Sequence, residues 1–409
     1  MKIQHERRCS LLIAVLVALT AGAWPAPARA ATDLQDPNEV VASALAQTPE
    51  QQEATRQYWT ANNSRNMREA VVLTMPVFAG AEKPAAPGRA PAAAAAGGPT
   101  WIVSGTAGGR KAMPHVQILP QRAAPAAGAA IGPMAGVMPF SFTRYRLFPD
   151  SEAVYRTYPY RAVGKLFFNV GAGRFSCTAS VVAAFNFSTV WTSGHCVFTP
   201  GFGFHTNFLF VPAQRRVGVT PTAPFGNWTG FSAVTLLGWT TGLLEFDHGV
   251  VVMNRGGSGP APEFVGVSVG MLGFMANAPR RQTWHVLAYP QDPHSPPSAT
   301  PQFTGFHQEI CAAAWAADDQ PTGNPATDPP TVGIGCDMTT GSSGGPWIVD
   351  FNSQAVATSG GVPVALNLVN GNISYRYPGG PPNSQRLYSP YFAMGAVALR
   401  EFAENVSIP

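Results

Sequence analysis

From about residue 150 onward the chain alternates short apolar runs with glycine, proline, asparagine and serine. RAVGKLFFNV, FSCTASVVAA, STVWTSGH, FSAVTLLGW, FDHGVVVMN, FVGVSVGML, TWHVLAYP, PWIVDF and VPVALNLVN are rich in β-branched and aromatic residues. That texture predicts an all-β body built from many short strands, a barrel or sandwich of roughly 260 residues. The end of the chain differs. Ser389-Pro390 can open a helix, and Phe392, Ala396, Leu399 and Ala403 recur at helical spacing, so one helix over about 390–404 closes the body.

Upstream, the pattern changes twice. Residues 31–80 are expected to be helical: Asp36-Pro37-Asn38-Glu39 and Thr48-Pro49-Glu50-Gln51 both set a capping side chain before a proline, with an acidic or amide side chain behind it. These two starts predict a helical pair ending near YWTANNSRNMREA. Residues 81–145 hold AEKPAAPGRAPAAAAAGGPT and QRAAPAAGAAIGPMAGVM, Ala/Pro/Gly tracts with little to bury, which read as linker. Residues 1–30 run from a basic start through LLIAVLVALTAGAW to APARA, the pattern of a secretory signal peptide cleaved after Ala30. No later stretch has the ~20 apolar residues of a membrane span.

A signal peptide, a helical segment, a linker and a body over 146–409 form the layout of a secreted zymogen. The segment from 31 to about 145 would then be an intramolecular inhibitor or folding aid. Arg144 and Arg146 in SFTRYRLFPD are the candidate processing points. An unrelated extension is the plainer alternative.

Charge and cysteine content narrow the function. A formal net charge of +4 over 409 residues is small, and no basic patch points to nucleic acid or an anionic membrane. Of five cysteines, Cys9 leaves with the signal peptide. Cys177, Cys196, Cys311 and Cys336 remain, an even number suited to an oxidising compartment. Four cysteines allow three pairings, of which Cys177–Cys196 and Cys311–Cys336 are the local ones. No CxxC pair supports zinc, and no phosphate loop, nucleotide fingerprint or metal-ligand cluster is visible, so neither metal nor cofactor is expected.

The chemistry concentrates at three places. In GCDMTTGSSGGPW, Ser343 stands among Gly341, Gly344 and Gly345, which let the backbone turn tightly and aim the Gly341 and Ser343 amides at one point. Alone, such a stretch is equally a glycine-serine turn. A serine hydroxyl needs a base. His195 follows an apolar strand in STVWTSGHC and precedes Cys196. The base needs a carboxylate. Among the acids between His195 and Ser343, Asp247 alone is set among apolar strand residues, in LLEFDHGVVVMN, where it must be hydrogen-bonded or paired. Glu245 is the fallback, and His248 is incidental. The order is His, Asp, Ser, with gaps of 247 − 195 = 52 and 343 − 247 = 96 residues, one of the three chain orders in which this triad occurs.

SGHC, FDHGVV and GSSGGP resemble the histidine, aspartate and nucleophile motifs of trypsin- and chymotrypsin-like serine proteases. LAYPQDP and GCDMTTGSSGGPW are most similar to the bacterial glutamyl endopeptidase-like branch, and YPYRAVGKLFF and LYSPYFAMGAVALREFA look similar to it too. The likeness covers roughly 155–404. It implies two packed six-stranded antiparallel β-barrels, over about 155–260 and 261–390, with the site in the cleft between them. It also implies an endopeptidase acting on polypeptides as a monomer through an acyl-enzyme. Ser343 would attack, His195 shuttle the proton, Asp247 orient His195, and the Gly341 and Ser343 amides hold the oxyanion.

Two departures stand out. Ser342 replaces the aspartate of GDSGGP, so a switch in which that acid pairs with a freed N-terminus is not expected. The stretch VPVALNLVNG lacks the pocket histidine of glutamate-specific members, which leaves Leu366, Asn367 and Leu368 as the expected pocket residues and a neutral or apolar preference. A silent protease-like binding module and an esterase with the same triad are the alternatives.

Overall fold

The computed structural model describes residues 36–76, 99–109, 114, 116–119, 140–147, 154, 156–217, 220–291, 303–324, 327–352, 358–359, 362–363, 367–378 and 383–409. The expected signal peptide, most of the 81–145 tract and Leu366 lie outside the described residues.

The N-terminal part supplies β1 (Val40–Ala44), α1 (Pro49–Glu69), β2 (Val71–Val72), β3 (Thr100–Val103), β4 (Val116–Leu119) and β5 (Thr143–Arg146). The helix opens as its sequence predicts. Thr48 caps it, its side chain accepting from the Gln51 N–H while the Gln51 side chain reaches back, and Pro49 takes the first turn. The first of the two expected helices does not form. Asp36 Oδ1 instead accepts the Asn38 N–H at 2.9 Å in a local turn, and the β-branched Val40-Val41 pair enters a strand against residues 232–236.

Six strands build the first barrel: β6 (Val163–Val170), β7 (Gly173–Val181), β8 (Thr189–Thr192), β9 (Thr206–Pro212), β10 (Trp228–Leu236) and β11 (Gly249–Met253). They pair in the ring β10-β9-β6-β7-β8-β11, and β10 pairs β11 to close it. Alternation along β6 explains its apolar run. Leu166 and Phe168 point into the barrel, while Phe167 points out and joins Leu209 and Val211 under Trp59 and Met67 of α1. Trp59 is fully buried, and its indole N–H donates to the Asn207 carbonyl at 2.7 Å. Losing a side chain of that size from such a seat costs about 3–5 kcal/mol.

A second set follows: β12 (Gly273–Ala276), β13 (Thr283–Ala288), β14 (Glu309–Asp319), β15 (Thr331–Gly335), β16 (Pro346–Val349), β17 (Leu368–Asn372) and β18 (Arg386–Ser389). Strands β18-β15-β14-β13-β16-β17 pair in that order, and a bridge between Tyr375 and Tyr388 brings the end of β17 back to β18. β12 joins β17 in parallel and carries β3 and β4 outward, while β5 adds to β14. Two antiparallel six-stranded rings, joined in one chain, make the chymotrypsin-like architecture expected from the sequence.

Helix α2 (Met394–Glu404) closes the body with Ala396, Leu399 and Ala403 buried. Ser389 does not cap it. Its hydroxyl lies in β18 and accepts the Asn372 N–H at 2.9 Å. No described helix is long and apolar enough to cross a membrane.

Candidate active site

His195 sits in the turn Gly194–Cys196, directly after β8. Glycine is needed before it, because a Cβ at Gly194 would stand 2.7 Å from the Trp239 ring and 2.9 Å from Asp247 Oδ1. Cys196 is disulfide-bonded to Cys177 of β7. Behind the turn, His205 Nδ1 donates to the Cys196 carbonyl at 3.0 Å and its Nε2 accepts from Thr199 Oγ1 at 2.9 Å. Burial drives the His205 pKa down to about 4, which keeps this second imidazole neutral.

Asp247 stands just before β11 and is fully buried. Its Oδ1 accepts the His195 N–H at 2.7 Å, and its Oδ2 lies 2.8 Å from His195 Nδ1. Ser374 Oγ donates to the same Oδ2, and Asn372 Nδ2 donates to the Asp247 carbonyl at 3.2 Å. Three donors on the carboxylate are what allow it to sit among apolar residues. With Nδ1–H committed to Asp247, the lone pair of the neutral ring is on Nε2.

Ser343 occupies the turn between β15 and β16. Gly341 and Gly344 have left-handed φ of +83° and +80°. The turn is fastened to both barrels. The Thr178 N–H donates to the Ser343 carbonyl and Thr178 Oγ1 to the Gly341 carbonyl, both at 2.9 Å, while the Gly344 N–H donates to the Ile373 carbonyl at 2.9 Å. Thr178 follows Cys177, and Cys196 follows His195, so the Cys177–Cys196 bridge ties the nucleophile turn to the imidazole turn. Ser343 is 0% exposed and His195 6% exposed. Both Ser343 Oγ and His195 Nε2 are buried without a hydrogen-bond partner. Among the described residues the Gly341 and Ser343 amides also donate to nothing. The arrangement offers a hydroxyl, a basic nitrogen held by a carboxylate and two amides free for a developing negative charge.

The remaining acids are engaged elsewhere. Glu245 accepts from Gln320 Nε2 and the Thr322 N–H, both at 3.1 Å, and does not reach His195. Asp318 pairs with Arg280 at 3.0 Å, and Asp337 with Arg144 at 2.9 Å. His248 is buried against Trp191 and Phe392, and that burial lowers its pKa to about 4. Ser342 is buried as well, and its hydroxyl donates to the Thr339 carbonyl.

The two described residues of the expected pocket, Asn367 and Leu368, make contacts of their own. Asn367 Oδ1 accepts the Asn352 N–H at 2.7 Å, and Leu368 packs with Ile102, Met275 and Ala278. Leu368 begins β17, whereas Ser374, which touches Asp247, lies 374 − 368 = 6 residues on, ~20 Å along an extended chain. The stretch passing the site is therefore Ser374–Tyr377. Ser374 and Asn372 escape sequence reading because NGNIS carries no spacing that a loop would not also show. The second disulfide, Cys311–Cys336, forms at the base of the nucleophile loop. The two groupings of metal-type side chains among the described residues, Cys177–His195–Cys196 and Cys311–Cys336–Asp337, both contain a disulfide, whose sulfurs are not thiolate ligands.

No family model and no curated protein matches the chain. Two bacterial proteases are similar in structure. One is the protease Anisep from Arthrobacter nicotinovorans, at 28% identity and a TM-score of 0.49, covering 64% of this chain and 100% of that one. The other is AL20, a thermostable serine protease from an extremophilic microorganism, at 29% identity and a TM-score of 0.47, covering 61% of this chain and 99% of that one.

Proposed function

We propose that the protein is a serine endopeptidase. The observation that supports this best is the chain of groups Ser374–Asp247–His195, ending in an Nε2 that, like the hydroxyl of Ser343, is buried with no partner. His195 Nε2 takes the proton as Ser343 Oγ adds to the scissile carbonyl carbon. The carbonyl oxygen becomes an oxyanion in the reach of the Gly341 and Ser343 amides. His195 then gives the proton to the leaving amine, and the C–N bond breaks to leave an acyl-enzyme. Water repeats the sequence, and the acid product departs. Asp247 stays ionised throughout and holds the imidazolium.

Two disulfides favour an oxidising compartment, which supports export of the chain. We read the N-terminal segment as an inhibitor or folding aid, supported by α1 packing on barrel one through Trp59 and Met67. The likeness to the glutamyl endopeptidase branch does not extend to glutamate preference. The test is fluorophosphonate labelling of the processed protein, with the labelled peptide mapped by mass spectrometry. Label on Ser343 that disappears in His195→Ala is expected. A folded, processed chain that takes no label would overturn the proposal.

A further inference from the structure

The buried state of Ser343 needs a cover, and the chain supplies one. After α1 the backbone leaves barrel one and runs across the nucleophile turn to barrel two. β2 pairs in parallel with β7, Val71 facing Phe175 and Val72 facing Ser176, and the Leu73 N–H donates to the Ser176 carbonyl at 3.0 Å. Val72 is buried against Gly341, where an added Cβ would meet Val72 Cγ1 at 2.6 Å. Four residues on, the Pro76 carbonyl accepts the Arg376 N–H at 3.3 Å, two residues beyond Ser374. The segment thus lies against Gly341 of the nucleophile turn at one end and bonds the stretch after Ser374 at the other.

Burial along this stretch repeats every third residue, with Val72 and Met75 buried and Val71 and Thr74 exposed. Thr74 is exposed, while Met75 is 1% exposed and belongs to the apolar cluster of barrel two. That cluster includes Met338, which lies five residues before Ser343, and Ile373, which directly precedes Ser374. No carbonyl of Val71–Pro76 meets the Gly341 or Ser343 amides, which have no partner among the described residues. The segment lies against Gly341 and the stretch after Ser374 without presenting a bond to the nucleophile turn.

We propose that Val71–Pro76 is a built-in plug of the active site, anchored by Met75 among the apolar residues beside the nucleophile turn, and that this recess receives a long apolar side chain of the substrate once the plug is gone. The proposal rests on the serine endopeptidase reading. α1 holds the plug in place. Trp59 is seated in barrel one, Arg174 pairs with Glu69 at 3.1 Å and donates to Asn66 Oδ1 at 2.8 Å, and the helix ends just before Val71. The plug is therefore positioned by a docked element, and its contacts with the site are intramolecular.

Two experiments test it. In the unprocessed chain, confirmed by intact mass, fluorophosphonate should label Ser343 at least tenfold faster in Met75→Asp than in the wild type. Met75→Leu and the exposed Thr74→Asp should label at the wild-type rate. Separately, a synthetic peptide of residues 70–77 added to processed enzyme should inhibit peptide hydrolysis, and its Met75→Asp version should inhibit at least tenfold less. The peptide arm decides if Met75→Asp fails to fold. Equal labelling of the unprocessed wild type and Met75→Asp, or equal inhibition by the two peptides, overturns the plug. Failure of the processed wild type to label overturns the endopeptidase reading instead, so the two failures are distinct.

Discussion

Ser374 and His195 meet on one atom: the Ser374 hydroxyl and the His195 Nδ1–H both address Asp247 Oδ2. The serine comes from the second barrel and the histidine from the first, so this shared oxygen registers one barrel against the other. Removing the serine hydroxyl leaves the Asp247 carboxylate one donor short in a buried place. Hydrogen bonds to a charged group are worth about 1.5–3 kcal/mol. Ser374→Ala is expected to lower kcat roughly tenfold to a hundredfold by that arithmetic, with KM nearly unchanged. Asp247→Asn, which also fixes the wrong tautomer, is expected to cost about 10⁴-fold. Steady-state kinetics on the processed variants check both, and equal losses in the two variants would contradict the positioning role of Ser374.

Gly344 predicts a different failure. It has a left-handed φ of +80°, and a Cβ there would fall 2.0 Å from Thr192 Oγ1 and 2.3 Å from the Thr178 carbonyl. Both neighbours belong to barrel-one strands that fasten the nucleophile turn. Gly344→Ala should therefore cost several kcal/mol of stability, through backbone strain together with overpacking of a buried site. Thermal unfolding in a Ser343→Ala background, which removes self-cleavage, measures this. An unchanged Tm would mean that the turn relaxes without loss.

How much of this was legible in the sequence differs by element. The strands of both barrels follow from β-branched, aromatic runs, and α1 follows from the Thr48 capping box. The order of SGHC, FDHG and GSSGGP singles out His195 at a strand end beside a cysteine, Asp247 in an apolar strand where it needs a partner, and Ser343 among glycines. The first expected helix failed because Asp36 closes its own local turn and residues 232–236 offer an edge to Val40–Ala44. Register along β17 is a tertiary property: Leu368 reads like a lining residue, while contact with Asp247 comes six residues on, at Ser374. Nothing in VVLTMP announces that it crosses the cleft, since its partners, Ser176, Gly341 and Arg376, are far away in sequence.

Acid stability depends on two buried histidines. Burial holds the pKa of His205 and of His248 down to about 4 in the folded chain. In the unfolded chain each takes a proton near the ordinary value of about 6.5. Between those values the unfolded state binds more protons, so stability is full above about pH 6.5, falls as pH drops towards 4 and levels off below it. The loss is on the order of 3 kcal/mol per histidine at most. Urea titrations of the Ser343→Ala protein and of its His205→Gln/His248→Gln derivative at pH 7 and pH 4.5 check the sign. The derivative should be less stable at pH 7, having lost the His205 bond to the Cys196 carbonyl and the 3.4 Å contact of His248 Nδ1 with Asn372 Oδ1, but should lose less on acidification. An equal acid loss in both proteins would assign it to carboxylates instead.

The recess that holds Met75 also bears on what the processed enzyme cuts. Its walls, Met338 and Ile373 among them, are apolar. Asp337, the nearest acid in sequence to Met338, is already paired with Arg144. A charged side chain entering this recess would lose its hydration without gaining a partner, a cost of several kcal/mol, whereas each buried methylene of an apolar one returns about 0.8 kcal/mol. A peptide library is therefore expected to show cleavage concentrated at methionine and leucine, with glutamate, lysine and arginine disfavoured at least a hundredfold. Met338→Lys, which places a cation in the same wall, should shift the preference towards acidic residues and weaken inhibition by the 70–77 peptide in parallel. A profile dominated by glutamate in the wild-type enzyme would show that another surface selects the substrate. In that case the two effects of Met338→Lys would separate, because the peptide and the substrate would no longer compete for one recess.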